Sequence, residues 1–141
     1  MYLNTKLYTR VHELAEQLMA SAQKQDDEAF DALYSELKAI CTDNEALETN
    51  HPVQWEALAD FTPDYQEALT LYKKALQLAL DGKERDIESS IYFSMASLHG
   101  ELGEKEQALE YLAEAERSAK RSADKELISD IKDLKEFLMD D

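Results

Sequence analysis

The sequence predicts an all-α fold of about seven helices arranged as successive hairpins. Three observations lead there. The 141 residues include 20 Leu and 18 Ala but only 2 Val and 5 Ile, and strands select the β-branched residues that are scarce here. Only 3 Gly and 2 Pro punctuate the chain, so helices can run long between few turns. Three segments also align: Glu28-Ala29-Phe30-Asp31-Ala32-Leu33-Tyr34, Glu67-Ala68-Leu69-Thr70-Leu71-Tyr72 and Gln107-Ala108-Leu109-Glu110-Tyr111-Leu112. Their leading alanines, at 29, 68 and 108, are 39 and 40 residues apart. A near-constant step of this size marks helical hairpins that stack to share a core, a solenoid.

Leu3, Leu7, Val11, Leu14 and Leu18 form an apolar stripe at helical spacing, which predicts a first helix over Asn4–Gln23. Asp26 and Asp27 supply a cap and favourable charge for a second helix, striped by Phe30, Leu33, Leu37 and Ile40. Thr42–His51 is polar and reads as a connector. Pro52 suits the first turn of a third helix ending near Phe61. Thr62 as cap and Pro63 as first helical residue open a fourth, which runs to about Leu80 with Gly82 as its stop. A fifth helix covers about Arg85–Glu101, Gly103 breaks the chain, and a sixth spans about Glu104–Arg121. Ser122 caps a seventh with Leu127, Ile131, Leu134 and Leu138 on one face. No Gly/Ser-rich linker or change of composition divides the chain, so one domain over 1–141 is expected.

Charge and composition narrow the role. The 15 Lys and Arg stand against 31 Asp and Glu, a net −16 spread as −6, −4 and −6 over residues 1–50, 51–100 and 101–141. This speaks against nucleic acid and against anionic membrane surfaces, both of which select clusters of Lys and Arg. With 44% hydrophobic residues the chain can build a core, burying about 68% of its unfolded surface. The single Cys41 permits no internal disulfide and fits a reducing compartment. Glu13 and Glu16 interrupt the apolar stretch a signal peptide would need, and no run is long enough to cross a bilayer. A soluble, cytoplasmic protein is expected.

The repeat resembles the tetratricopeptide repeat. Its last copy carries the pattern best: Tyr92, Met95 and Ala96 in the first helix, Gly103 at the turn, then Ala108, Leu112 and Ala115 in the second. Small residues let two helices approach while large ones fill the gaps between them. In the middle copy Ala68, Leu69, Tyr72, Ala75 and Leu76 fit the second helix, and Trp55, Leu58 and Ala59 a shortened first one. The first copy is degenerate: Ala29 and Leu33 fit, but Glu36 stands where a small residue is expected. The resemblance implies a right-handed helical-hairpin solenoid. Its parts would be a degenerate hairpin over 1–42, repeats over 52–82 and 85–121, and a capping helix over 122–141.

No constellation for catalysis converges. HExxH, phosphate-loop and dinucleotide motifs are lacking, and His12, His51 and His99 form no cluster at ligand spacing. Asp81–Asp86 lacks the alternating acids of a calcium loop and reads as a turn. Cys41 reads as a buried hydrophobe, and Tyr72, Tyr92 and Tyr111 as packing residues. No cofactor and no metal are expected. The resemblance instead implies a concave groove lined by the first helix of each hairpin, to which Val53, Glu56, Asp60, Ser90, Phe93 and Ser97 would contribute. Phe93 could equally pack under the capping helix. The Lys, Asn and Arg with which some family members clamp a chaperone's C-terminal carboxylate are replaced here by Ser, Glu and Asp, so that use is not expected. The expected function is a non-enzymatic adaptor that binds a peptide or helix of a partner protein, with a basic segment the favoured ligand. The alternatives are a dedicated acidic chaperone or immunity protein for a secreted effector or toxin, and a homo-oligomeric structural module such as a homodimer.

Overall fold

A computed structural model describes residues 5–140. Among them are seven helices: α1 (Thr5–Gln23), α2 (Asp27–Asn44), α3 (Pro52–Asp60), α4 (Tyr65–Asp81), α5 (Arg85–Glu101), α6 (Lys105–Ser122) and α7 (Lys125–Met139). The described chain is all-α, as its composition predicts. Leu3 and Asn4 of the expected first helix lie outside the described residues. The structure divides into two compact units within α4, the first ending at Ala75 and the second beginning at Leu76.

In the first unit α1 and α2 form a hairpin, and α3 packs on both. Val11, Leu14 and Leu18 of α1 meet the core as the stripe predicts, and Leu37 and Cys41 of α2 are fully buried. Each buried leucine contributes about 1.5–3 kcal/mol. Trp55 and Leu58 of α3, with Ala68, Tyr72 and Ala75 of α4, are buried too. The α2–α3 connector is pinned by side chains: Trp55 Nε1 donates to Asn50 Oδ1 at 2.7 Å and Gln54 Nε2 to the Thr49 carbonyl at 2.8 Å. Lys74 bonds Glu45 and lies 4.2 Å from the centre of the Trp55 ring.

In the second unit α5 and α6 form the closest hairpin, and α7 folds back against both. Their contact is made by small residues: Ala96 on α5 and Ala108, Ala115 and Ala119 on α6 are fully buried. Leu112, Ile131 and Leu138 complete this cluster, with Leu127 and Leu134 packed against it, so the predicted α7 stripe is the one that docks. Tyr92 stacks on Tyr111, with ring centres 6.3 Å apart.

One joint recurs. After α1, α4 and α5 the second residue beyond the helix adopts a left-handed conformation: Gln25 (φ 57°), Lys83 (φ 56°) and Gly103 (φ 77°). In each the N–H of that residue and of its successor close onto the last turn. Gln25 bonds Ala22 and Asp26 bonds Ser21, Lys83 bonds Leu80 and Glu84 bonds Ala79, Gly103 bonds Gly100 and Glu104 bonds His99, all at 2.9–3.2 Å. The successor already begins the following helix. Ala123 (φ 59°) takes the same conformation after α6.

Three expected punctuation marks shift. Gly82 is not the left-handed stop of α4, because its neighbour Lys83 is. Ser122 ends α6, and Asp124 caps α7 by accepting from the Leu127 N–H at 3.0 Å. Thr62 does not cap α4, since its hydroxyl donates back to the Leu58 carbonyl at 2.8 Å. Asp64 takes that role, accepting from the Gln66 N–H at 3.0 Å.

Candidate functional site

The short helix α3 sets the site. Pro52 starts it, and His51 caps it by accepting the Val53 N–H at Nδ1, 3.2 Å away. Its Trp55, Leu58 and Ala59 are committed to the core. That leaves Val53, Glu56, Ala57 and Asp60, which recur at the spacing of one helical face. Tyr8, Val11, His12 and Ala15 of α1 repeat the same spacing. The two stripes face each other across a cleft of about 160 Å³.

Val11 and Ala57 are buried at its floor, Ala15 and Val53 are half-buried, and Tyr8 and Asp60 reach solvent. The Tyr8 and His12 rings lie nearly parallel, 6.5 Å apart, and His12 Nε2 meets Glu16 at 3.1 Å. The Tyr72 hydroxyl of α4 donates to Asp60 Oδ1 at 2.5 Å. Desolvation by the surrounding protein pushes the Asp60 carboxyl from 3.8 up to about 6, and the Tyr72 hydrogen bond opposes that rise. Asp60 remains partly in water, which moderates the effect.

Val53, Glu56 and Asp60 thus share one cleft. The expected groove residues of the second unit, Ser90, Phe93 and Ser97, share one half-buried strip of α5. Phe93 packs against the cluster containing Ile131 and Leu138, and Ser97 Oγ donates to the Phe93 carbonyl at 3.0 Å. The α1 wall escapes a reading of the sequence because Val11 belongs to the core stripe and His12 to its flank. The signal available is the shared spacing of Tyr8, Val11, His12 and Ala15.

The other reactive side chains serve the fold. Cys41 is fully buried, its Sγ donates to the Gln54 carbonyl at 3.2 Å, and burial pushes the thiol up to about 12. His99 is buried, stacked on Tyr111 at 5.3 Å, with Nδ1 3.0 Å from Glu104. Asp81–Asp86 forms the joint between α4 and α5. Among the described residues no group of three or more His, Cys, Asp or Glu is placed to hold a metal ion, and no helix is long and apolar enough to cross a membrane.

Hairpins joined by tight turns and packed through buried alanines define a helical-repeat architecture. Residues 63–121 match the family model described as tetratricopeptide repeat. Within it Met95, Ala96, Ala108, Leu112 and Ala115 occupy the pattern positions and are all buried. Neither a curated protein nor a solved structure matches the chain.

Proposed function

We propose that this protein is a non-enzymatic adaptor that holds an extended segment or helix of a partner protein. The supporting observation is the α1–α3 cleft, where two helical stripes leave an accessible, largely apolar hollow between packed elements. The tetratricopeptide repeat is in general a protein–protein interaction module, and the resemblance read from the sequence implies a groove lined by the first helix of each hairpin, of which α1 and α3 would be two. Ser90, Phe93 and Ser97 of α5 are the second proposed contact strip. A single buried thiol suits a reducing compartment, so a cytoplasmic location accompanies the proposal.

The test is selection of a displayed random-peptide library on the intact protein and on Ala15→Phe, which fills the hollow. Peptides enriched on the unmodified protein and lost on Ala15→Phe, with the unfolding temperature retained, are the expected result. Enrichment indifferent to Ala15→Phe would remove the cleft from the function.

A further inference from the structure

We propose that the α1–α3 cleft recognises a partner segment in which one apolar side chain is flanked by arginine. This deepens the adaptor reading and rests on it.

Size and lining select the apolar anchor. Ala15 and Ala57, the smallest side chains of the two walls, open a hollow of about 160 Å³. A cavity of about 150 Å³ holds a benzene-sized group. One leucine or phenylalanine side chain therefore fits, with Val11 and Val53 as its other neighbours. A whole helix does not enter, so its anchor alone would.

The rim selects the flanking charge. Its ionisable groups are Glu56 and Asp60 on one wall and His12 on the other, and among the described residues no Lys or Arg lines the cleft. Glu56 and Asp60 lie one turn apart on α3, on the same face. An acidic segment would bring like charge to two carboxylates, whereas a guanidinium next to the anchor meets them directly. The Tyr72 hydroxyl holds the Asp60 carboxylate from the α4 side, so little side-chain freedom is lost on binding. The exposed Tyr8 ring, lying parallel to His12, offers a flat face on which a guanidinium can stack. The net charge of −16 steers the same cation from a distance.

The experiment is calorimetric titration of the whole protein at low salt with four synthetic peptides in one Gly/Ser frame. They carry Arg-Leu-Arg, Gln-Leu-Gln, Glu-Leu-Glu and Arg-Gly-Arg at the centre. Arg-Leu-Arg should bind tightest. Loss of the leucine or of both arginines should each weaken binding about tenfold, and the glutamate peptide should not bind. The double variant Glu56→Gln with Asp60→Asn keeps the shape of the rim. It should bind Arg-Leu-Arg about three- to tenfold more weakly and leave Gln-Leu-Gln unchanged.

Equal binding of the arginine and glutamate peptides, or an unaltered Arg-Leu-Arg affinity in the double variant, overturns the charge selection. If Ala15→Phe still abolishes peptide binding in that case, the adaptor reading stands and this inference alone fails. If no peptide binds, or Ala15→Phe changes none of the affinities, both fail.

Discussion

Arg10 and Glu36 meet through two parallel hydrogen bonds of 2.6 and 2.7 Å that tie α1 to α2. Glu36 is the residue that departs from the small-residue pattern of the first repeat. Its side chain is spent on a bidentate pair at the surface, and the Arg10 guanidinium holds its carboxyl below the ordinary value. The stability this pair gives is present above the unfolded carboxyl value and fades as pH falls through the lowered one. Asp60 has the opposite sign. Its folded carboxyl titrates near 6 against 3.8 unfolded, so the native state binds the extra proton between them. Asp60 therefore lowers stability as pH rises from about 4 to 6. Asp60→Asn should flatten that part of the stability–pH curve in urea titrations, while its amide oxygen can still accept from Tyr72. Cys41, with its thiol raised to about 12, should react with Ellman's reagent only on unfolding. Burst labelling of the native protein at pH 8 would contradict its burial. The burial of Cys41 was readable from the sequence. The titration of Asp60 was not, because it depends on desolvation by the elements packed around it, with the Tyr72 hydrogen bond from another helix opposing the rise.

Among the elements, helix number and most ends were readable because apolar stripes and caps are local signals. α5 occupies its expected span of Arg85–Glu101, and α7 docks by its expected stripe. The errors fell at the joints, where Gly82, Ser122 and Thr62 looked like the natural punctuation. Three left-handed positions are filled by Gln25, Lys83 and Ala123, whose side chains give no such cue. Each bears the steric cost that glycine avoids. Lys83→Gly and Ala123→Gly should each stabilise the protein by about 0.5–1 kcal/mol in denaturant unfolding. Gly103→Ala should cost a similar amount. It would do so through backbone strain alone, since nothing lies within 4 Å of the added methyl. The α5–α6 contact has the reverse sensitivity. Ala115 is fully buried, and Ala115→Leu should destabilise the fold by about 1–3 kcal/mol through overpacking.

For the molecule as a whole, the repeat step of 39 and 40 residues predicted stacked hairpins, and the tetratricopeptide match to residues 63–121 covers the last copy and the second helix of the middle one. The cleft was half readable. Its α3 wall followed from the family pattern, but its α1 wall lies in the degenerate first copy, where pattern gives way to packing. The 31 acids repel one another across the molecule, so raising NaCl to about 0.3 M should raise the unfolding temperature in a calorimetric scan. A fall would mean that local pairs such as Arg10–Glu36 outweigh the general repulsion. The left-handed joints have a consequence for how the chain can change length. Because the residue that closes one helix is followed at once by the start of another, the joint sets the rotational phase of the second helix. One residue inserted between Gly103 and Glu104 would turn α6 by about 100°. Ala108, Leu112 and Ala115 would then swing away from α5. The α2–α3 connector carries no such gearing around its exposed Ala46–Glu48 stretch. Insertions there leave every helix in phase, so tolerated differences in length should gather at that connector and be absent from the joints.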